Sequence, residues 1–482
     1  MGADEGVSEE ASPIASLKEI DLVGRPTSRV AWLARMLARE LQIGFWLVCV
    51  VTCFPVLWLR RRSLTGALGA AAAMLCRRLG ATFIKVGQIV STRPDLFPPE
   101  FLAPLVELQD RVPPFDGRRA RRTIEEDFAR PLDELFAGFS AQPIASASVA
   151  QVHRAVLRDA RGPLAAGAVV AVKIRRPGIV RRAHLDEAIL RVGAHLLSFV
   201  PTIGLVSPVE SVDHFCDAVN LQLDFRIEAA NNRRFRANFT DDPQVVFPAI
   251  VDELSTDRVL TMEFVEGVKD HDLEAVGCDR RILARKGIET ICRMIYHHGF
   301  VHADLHPGNI LYLAGNRIAL LDLGLVAELD DDSRDVIARL NLYILSGMGR
   351  ELARMIYDES PIKGVVDYAA YEQDVERFVA RIRGRPLAEL QITVLIGELF
   401  NLLRRHRIRA AADFTVVNIA MMVAEGLGRK LDPTLDLSVE ALPYIQSALA
   451  GSVSDRPRAP AGGGTSVVAV DTSSTAGSRR LG

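Results

Sequence analysis

The sequence has little that would support a disulfide-linked, nucleic-acid-binding or P-loop protein. Its 482 residues include only six cysteines and no CxxC pair, so a reducing compartment is expected for the main domain. The formal net charge is -2, and neither a zinc-ligand spacing nor an interleaved aromatic platform is present, so no nucleic-acid partner is expected. The AGGGTS near the C-terminus lacks the GxxxxGKS/T spacing and is not a phosphate loop.

The composition indicates a multi-lobed globular protein that contacts a membrane. A chain of 482 residues exceeds what one hydrophobic core usually organises. Apolar residues make up 49% and charged residues 24%, while the mean hydropathy is +0.15. The apolar share favours membrane contact, and the charged share argues against a polytopic membrane protein.

The membrane signal is concentrated in one apolar run, residues 43–59, which ends at the basic triplet 60–62. As a helix its 17 residues would extend roughly 26 Å at about 1.5 Å per residue, slightly less than the ~30 Å hydrocarbon core. A short transmembrane anchor and a buried or interfacial helix therefore both stay open. The arginines favour the cytoplasmic face of a membrane, with the protein either peripheral or anchored through this N-terminal run.

Beyond this run, the periodic patterns predict a small β-rich lobe followed by a larger helical lobe. Four runs read as strands of one mostly antiparallel sheet, and they are residues 145–157, 169–174, 245–251 and 258–265. Two helical stretches, about 179–200 and 209–239, lie between the second and third runs. The chain is then mainly helical to about residue 449, apart from two short strands near 310–313 and 318–321.

The strongest chemical signal is the pair of motifs HADLHPGNILYL and IALLDLGL. In protein-kinase sites a loop aspartate precedes a metal-binding asparagine by five residues, and a second metal-binding aspartate follows a short hairpin. Asp304 and Asn309 have that spacing, and Asp322 follows the predicted hairpin. Each residue alone would more often be a turn or cap residue, but their order favours chemistry. His302 and His306 are predicted to brace the loop and not to bind metal.

A lysine and a glutamate complete this pattern. Lys173 ends the apolar run VVAV, which places its stem beside a buried strand and its ammonium in the cleft. In the kinase VAIK pattern this cation meets the nucleotide phosphates and pairs with a helix glutamate. Glu228 is the predicted partner, because Asp224, Glu228 and Asn231 recur at helical spacing. A solvated surface ridge is the alternative for those three residues.

Several longer segments resemble the UbiB/AarF family of atypical kinases. They include PIASASVAQVHRA, VAVKIRRPG, LDFRIEAANNRRF, VLTMEFVEG, HADLHPGN and LDLG, together with FIKVGQIVSTRPDLFP, whose KxGQ element is peculiar to that family. The resemblance runs from about Leu79 to Glu328. It implies an α+β, two-lobed protein-kinase-like fold with an N-terminal helical extension covering the cleft.

The resemblance also implies how the nucleotide is held. In that family an Ala-rich loop replaces the glycine-rich loop over the phosphates. The matching AxAS positions here are Ala145, Ser146, Ala147 and Ser148. Because a Cβ limits how closely backbone amides approach phosphate, the nucleotide pose or selectivity should differ from that of ordinary kinases. Glu263 and Val265 bound the expected hinge, whose backbone would meet adenine.

The KxGQ element implies a restricted active site. Lys85, Gly87 and Gln88 match it, and in the family this segment folds across the site and blocks the usual peptide groove. Lys85 and Gln88, three residues apart on a helix, are expected to face the same way. The chain departs from the family at Gln222, where the ExD motif usually has a glutamate, so autoinhibition or metal affinity should differ here.

Six segments are expected along the chain. They are a disordered leader (1–28), an apolar helical segment (29–78), a KxGQ helical extension (79–142), an N-lobe (143–267), a helical C-lobe (268–450) and a disordered tail (451–482). In the predicted site, Lys173 binds phosphates and pairs with Glu228, Asn309 and Asp322 hold Mg2+, and Asp304 orients or deprotonates the acceptor.

Two classes of function are consistent with this site. The first is an ATP-dependent kinase or ATPase that uses ATP or ADP with Mg2+ and, as the resemblance implies, supports isoprenoid-quinone (ubiquinone) biosynthesis or lipid homeostasis at a membrane. Its expected partners are an adenine nucleotide, a membrane lipid or isoprenoid-like molecule, and quinone-biosynthesis proteins. The second is a noncatalytic nucleotide-sensing scaffold that recruits lipid or biosynthetic enzymes.

Overall fold

A computed structural model describes residues 29–91, 97–108, 113–199, 208–365, 367–382 and 392–452. The expected disordered leader, and the expected tail beyond residue 452, lie outside these ranges. Within them an N-terminal helical region precedes a five-stranded sheet and a mainly helical remainder. The predicted α+β class with an N-terminal helical extension is therefore confirmed.

Four helices form the N-terminal region: α1 Arg29–Arg61, α2 Leu64–Leu79, α3 Ala81–Ser91 and α4 Pro99–Val106. Ser63 begins α2 by accepting a hydrogen bond from the Gly66 amide, as an N-cap serine does. The helices α2, α3 and α4 share an apolar cluster that includes Ala73, Leu79 and Leu105. In the described ranges one helical segment, Ala34–Arg61, is long and apolar enough to cross a membrane, with 28 residues and a hydropathy of 2.0.

Glycine in α2 allows a close helix contact that predicts a stability effect. A Cβ added to Gly69 would overlap the main-chain carbonyl oxygen of Phe101 in α4, whereas one added to Gly193, in a later helix, would meet nothing within 4 Å. Gly69→Ala should therefore lower the free energy of unfolding by about 1–3 kcal/mol. Gly193→Ala should raise it by about 0.5–1 kcal/mol. Denaturant unfolding of both variants checks these opposite signs, and a stabilised Gly69→Ala would contradict the close packing.

The strands in the described ranges are β1 Phe136–Phe139, β2 Ala145–Ser146, β3 Ala150–Leu157, β4 Val169–Arg175, β5 Val245–Val246, β6 Val259–Glu263, β7 Phe300–His302, β8 Ile310–Leu313, β9 Arg317–Leu320, β10 Val326–Glu328, β11 Ile362–Lys363 and β12 Ile408–Arg409. The first sheet is antiparallel in the order β1-β3-β4-β6, and β2 pairs with β3. It begins at Phe136, before the expected lobe boundary at residue 143. The side chains of Val170, Val172 and Ile174 on β4 are fully buried.

The prediction that residues 245–251 form a strand of this sheet is wrong. Only Val245 and Val246 are strand, and β5 pairs in parallel with β9 in a separate sheet of order β5-β9-β8. Phe247 stacks on Phe235 with ring centroids 5.2 Å apart, and Pro248 has no amide hydrogen to continue a ladder. The end of the run contacts β6 through isolated hydrogen bonds and not through a ladder; one of them runs from the Val251 amide to the Thr261 carbonyl.

The remaining helices are α5 Gly117–Phe128, α6 Leu132–Leu135, α7 Ile179–Ser198, α8 Pro208–Leu223, α9 Phe225–Asn238, α10 Arg280–Cys292, α11 Asp331–Ser346, α12 Gly349–Glu359, α13 Tyr368–Ile382, α14 Ile392–Arg405, α15 Ala412–Leu431 and α16 Leu437–Ser452. Helices α5 and α6 pack on the first sheet. One core cluster joins α9 and α10 with β5 and β7 to β10, and also with α11, α15 and α16. A second cluster joins α11 to α15.

The helix predicted over residues 209–239 is interrupted at Asp224 and is therefore two helices. Asp224 has φ -109° and ψ 105°, and its carboxylate accepts from the Arg226 amide, so α8 ends and α9 begins there. An aspartate N-cap satisfies a free amide of the first turn. Glu228 consequently lies in the first turn of α9, with its side chain buried.

Candidate active site

The centre of the cleft is a buried ion pair between β4 and α9. Lys173 lies in β4 with its side chain held between the sheet and the Phe225 ring, whose centroid is 5.4 Å from Nζ. Its Nζ donates to Glu228 Oε1 at 2.9 Å and to Oε2 at 2.8 Å. The two side chains are 8% and 7% exposed. A charge pair this far from solvent persists because each partner compensates the desolvation of the other.

The same lysine also contacts the turn after β9. Lys173 Nζ donates to Asp322 Oδ1 at 2.8 Å, and the Asp322 side chain is 43% exposed toward the cleft. Asp322 has φ 55°, a left-handed conformation that aspartate tolerates better than most residues. Asn231 of α9 donates to the Leu323 carbonyl at 2.8 Å. The turn that carries Asp322 is therefore fixed to the helix that carries Glu228.

These contacts shift the protonation of all three groups. Burial alone would lower the pKa of Lys173, but Asp322 and Glu228 outweigh burial and raise that pKa above its ordinary value. Burial would raise the pKa of Asp322, but the Lys173 ammonium outweighs it and lowers the pKa. Burial raises the pKa of Glu228 to about 7, against the opposing attraction of Lys173. The Lys173 ammonium thus limits how far burial raises the pKa of Glu228.

Asp304 and Asn309 share one braced loop after β7. Asn309 Nδ2 donates to the Asp304 carbonyl at 3.1 Å, and the Leu321 amide donates to the Asn309 carbonyl at 2.8 Å. The second bond places Asn309 beside the turn of Asp322. His302 Nδ1 accepts from the Asp304 amide at 3.2 Å, and His306 Nδ1 accepts from the Gly308 amide at 3.0 Å. The prediction that the two histidines brace the loop is confirmed.

Helix α3 closes the cleft on Asp304. Lys85 Nζ donates to Asp304 Oδ2 at 2.9 Å, and the two side chains are 8% and 27% exposed. Burial would raise the pKa of Asp304, but the Lys85 ammonium lowers it below its ordinary value. The carboxylate expected to meet an acceptor is therefore already engaged by a cation of the N-terminal region.

The other two KxGQ residues face α2 and α4 instead of the cleft. A Cβ on Gly87 would overlap the Leu108 side chain and lie 3.3 Å from Cys76 Sγ. Gln88 Nε2 donates to the Leu108 carbonyl at 3.4 Å. Lys85 and Gln88 lie three residues apart on α3, as expected, but their side chains reach different partners: Lys85 contacts Asp304 and Gln88 contacts the Leu108 carbonyl. Gly87 and Gln88 hold α3 against the neighbouring helices, and Lys85 reaches into the site.

The Ala-rich loop, residues 145–148, is part of a tight hairpin between β2 and β3. Ala145 and Ser146 form β2 against β3, and the Ala147 amide donates to the Ala150 carbonyl at 2.8 Å. The following Ser148 is buried. Arg176 was not anticipated from the sequence: its Nε donates to the Ala147 carbonyl at 3.0 Å and its Nη2 to Ser146 Oγ at 2.8 Å. Only the arginine-rich end of VAVKIRRPG hinted at it.

The expected hinge follows the last strand of the sheet. Glu263 ends β6, and its carboxylate accepts from the Ala249 amide at 3.1 Å. The Phe264 amide donates to the Val169 carbonyl at 3.2 Å. Val265 comes next, in the segment that leads out of the sheet toward the helical lobe. The backbone near residue 265 therefore lies where the two lobes join.

Gln222 borders the site but has no partner for its amide. Its Nε2 is buried without a hydrogen-bond partner, and a Cβ on Gly324 would lie 3.7 Å from Gln222 Cγ and 3.6 Å from Glu228 Oε2. Asp224, the other end of this motif, does not face the cleft, because it caps α9 and pairs with Arg226 at 2.6 Å. An uncompensated buried donor is rare, and this one belongs to a side chain near Gly324, which also borders the Glu228 and Asp322 carboxylates.

The donors present fit a magnesium–phosphate group. Among the described residues no cluster of three or more His, Cys, Asp or Glu could hold a metal by itself. Mg2+ does not need such a cluster, because it uses one or two carboxylates together with phosphate oxygens and water. Asp322 offers a half-exposed carboxylate and Asn309 an amide oxygen from neighbouring backbone positions. Both are hard oxygen donors.

A small sheet carrying a lysine, a helix glutamate and two loop carboxylates at the junction of two lobes defines a protein-kinase-like fold and site. Comparison with known proteins names the family. Residues 107–356 match the ABC1 atypical kinase-like domain, and residues 375–436 match the UbiB helical domain. The chain belongs to the UbiB family of ABC1 atypical kinase-like proteins, as the sequence resemblance indicated.

Individual relatives agree with this assignment. A probable protein kinase UbiB of Shewanella piezotolerans is 32% identical over 413 residues, covering 84% of this chain and 74% of the relative. One from Marinobacter nauticus is 34% identical over 386 residues, covering 78% and 69%. A Mycobacterium tuberculosis protein solved with erythromycin covers 74% of this chain and 90% of its own at 22% identity, with a TM-score of 0.46, a partial likeness only.

Proposed function

We propose that this UbiB-family protein binds an adenine nucleotide, ATP or ADP, with Mg2+ and uses it as an atypical kinase or ATPase. The observation that supports the proposal is the convergence of five groups in one cleft: Lys173, Glu228, Asp304, Asn309 and Asp322. Lys173 would contact phosphate, and Asn309 and Asp322 would hold Mg2+, whose charge would offset that of the phosphates. Asp304 would orient or deprotonate the acceptor once Lys85 has moved.

Other residues would hold and select the nucleotide. The loop Ala145, Ser146, Ala147 and Ser148 would cover the phosphates, and Arg176 keeps that loop against β3 and β4. The backbone between Glu263 and Val265 would meet adenine. The cellular role implied by the family is support of isoprenoid-quinone (ubiquinone) biosynthesis or of lipid homeostasis. We place the protein at the cytoplasmic face of a membrane, with a lipid or isoprenoid-like molecule and quinone-biosynthesis proteins as partners.

Asp322→Asn tests the metal assignment. The variant keeps the shape of the side chain and loses its charge, so nucleotide affinity in the presence of Mg2+ should fall tenfold or more, while affinity without Mg2+ should change little. Titration of a fluorescent adenine nucleotide with and without Mg2+ measures both values. Asp252→Asn is a matched control, because Asp252 forms only an exposed surface pair with Arg233. Equal Mg2+-dependent nucleotide affinity in the wild type and in Asp322→Asn would contradict the assignment of Asp322 as a Mg2+ ligand.

A noncatalytic nucleotide-sensing scaffold is the second candidate, and the Lys85–Asp304 pair favours it. With Asp304 engaged at 2.9 Å by a buried ammonium, nucleotide could bind and change the position of α3 without phosphoryl transfer. Phosphate release measured with anionic liposomes separates the two candidates. Mg2+-dependent binding without turnover in the wild type would select the scaffold, and turnover lost in Asp322→Asn would select the enzyme.

A further inference from the structure

The outer face of α1 is an exposed apolar surface that the proposed site does not use. Only 6% of the residues in the most apolar 18-residue stretch of Ala34–Arg61 are buried. Four of its large side chains are mostly exposed: Leu37 at 58%, Leu41 at 67%, Phe45 at 61% and Val48 at 62%. Their spacing of four, four and three residues puts them on one side of the helix. A continuous apolar ridge of this kind on a protein surface marks an interaction site.

The opposite side of α1 packs on the body of the protein. Arg39 and Val50 are buried, and Ile43 and Trp46 are partly buried against the cluster formed by α2, α3 and α4. Helix α2 runs back along α1, because Arg39 near the start of α1 donates to the carbonyl of Leu79 at the end of α2. The two helices therefore form an antiparallel hairpin, with the apolar ridge on its outer side.

A buried ion pair holds α1 in this position. Arg39 Nε lies 2.7 Å from Asp186 Oδ1 in α7, and the two side chains are 9% and 0% exposed. Helix α2 is fixed in turn, since Gly69 lies directly against the Phe101 backbone of α4. If α1 crossed a bilayer, Arg39 would leave Asp186 buried and unpaired, and α2 could not follow. The packing is therefore compatible with α1 lying along a membrane surface and not with α1 spanning it.

Charge at both ends of the ridge indicates the chemistry of that surface. Arg60, Arg61 and Arg62 follow the C-terminal end of the ridge, and Arg35 precedes its first residue, Leu37. Along α1 the only acidic residue is Glu40. Basic groups flanking an apolar helix face suit a leaflet with anionic headgroups, which attract the arginines while the apolar side chains enter the headgroup–acyl boundary.

We propose that α1 is an in-plane membrane anchor that inserts its Leu37, Leu41, Phe45 and Val48 face into an anionic leaflet while the α1–α2 hairpin stays docked on the protein. This inference rests on the membrane location given under the proposed function and specifies how the chain reaches it. The membrane then lies on the side of α1 opposite its contact with α2. Through Ile43 and Trp46, α1 connects that surface to α3, the helix that carries Lys85.

Vesicle flotation of the full chain tests whether the apolar ridge of α1 binds an anionic membrane. Wild type should float with phosphatidylcholine–phosphatidylglycerol vesicles, more weakly with phosphatidylcholine alone and more weakly at high salt. The double variant Leu41→Glu, Phe45→Glu should bind the anionic vesicles at least about tenfold more weakly, with unchanged Mg2+-dependent nucleotide affinity. Ile282→Glu, at a 44% exposed apolar position on α10, is the matched control and should bind like wild type. Equal binding by the double variant overturns the proposal.

Depth measurement distinguishes an in-plane from a spanning helix. The three tryptophans of the chain, Trp32, Trp46 and Trp58, all lie in α1. Replacing them by phenylalanine and adding Val48→Trp therefore leaves one probe, at the last position of the ridge and near the middle of the apolar segment Ala34–Arg61. Lipids brominated near the headgroup should quench this probe more than lipids brominated near the chain ends. Stronger quenching by the deep bromines would mean that α1 spans the bilayer and would overturn the proposal.

A second copy of the chain is the competing occupant of the ridge. Light scattering without lipid that showed a dimer, dissociated by the Leu41→Glu, Phe45→Glu change, would overturn the membrane assignment. A monomer that binds vesicles supports it. These outcomes are independent of the nucleotide proposal, because that proposal fails when Asp322→Asn leaves Mg2+-dependent affinity unchanged, whatever the vesicles show.

Discussion

Lys173→Met is expected to abolish nucleotide binding and to lower the free energy of unfolding by about 3–5 kcal/mol. Methionine fills the space of the lysine stem but leaves Glu228 buried with no countercharge, and removing one partner of a buried pair costs far more than the pair contributes. The half-exposed Asp322 can be hydrated and adds little to that cost. Denaturant unfolding and nucleotide titration measure the two losses.

The cost of this change should depend on pH, with a definite sign. In the wild type burial already raises the pKa of Glu228 to about 7 from an ordinary value of 4.5, and loss of the Lys173 ammonium raises it further. Above pH 4.5 the folded variant keeps a proton on Glu228 that the unfolded chain releases. The stability of the variant therefore falls as pH rises from 4.5 past about 7. The destabilisation relative to wild type should be smaller at pH 6 than at pH 8.

Lys286→Met is the matched control for Lys173→Met. Lys286 is also a buried lysine, with Nζ 3.2 Å from Asp242 and 2.8 Å from Glu289, but it lies in α10, within the helical lobe. Its replacement should lower stability and leave nucleotide affinity unchanged in the protein that remains folded. Nucleotide binding retained by Lys173→Met, or lost equally in Lys286→Met, would contradict the assigned role of Lys173.

The sequence was informative where a function is encoded by local spacing. The five-residue interval between Asp304 and Asn309 and the position of Lys173 at the end of an apolar strand are set by neighbouring residues, so both could be interpreted before the fold was known. The fold class followed from the same local periodicities. The partner of Lys173 was also predictable, because Glu228 lies on a recognisable polar face of a helix.

Features that depend on distant contacts could not be predicted in this way. The run beginning at Val245 has strand composition, yet the stacking of Phe247 on Phe235 diverts it to another sheet. Asp224 ends a helix that periodicity alone would continue. Arg39 pairs with a residue 147 positions away, so its position in the apolar helix gave no sign of its partner.

Lys85→Ala is expected to increase nucleotide hydrolysis by on the order of tenfold to a hundredfold. The change frees Asp304 from the ammonium 2.9 Å away, and a positioned general base is worth about 10²–10⁴ in rate. Mg2+-dependent nucleotide affinity should change much less than kcat, because Lys173, Asn309 and Asp322 are left in place. Steady-state hydrolysis measured over a range of nucleotide concentrations separates kcat from KM.

The acid limb of the pH–rate profile should move at the same time. In the wild type the Lys85 ammonium holds the pKa of Asp304 below its ordinary value of 3.8, against the opposing effect of burial. The ion pair therefore contributes stability at neutral pH that is lost as pH falls through the depressed pKa. Without Lys85, burial and the nearby Asp322 carboxylate raise the pKa of Asp304. Hydrolysis by the variant should consequently lose activity at a higher pH than wild type as the solution is acidified.

Two further variants separate release of Asp304 from a general loosening of the N-terminal helices. Lys85→Arg keeps a cation at Asp304 and should retain the low hydrolysis rate, whereas Arg77→Ala removes only an exposed pair with Glu107, whose side chains are 52% and 64% exposed, and should also leave the rate unchanged. An equal rise in all three variants would point to displacement of α3 as a whole. No rise in Lys85→Ala, with nucleotide still bound, would mean that Asp304 has no acceptor to activate, and the scaffold function would then be the better account of this cleft.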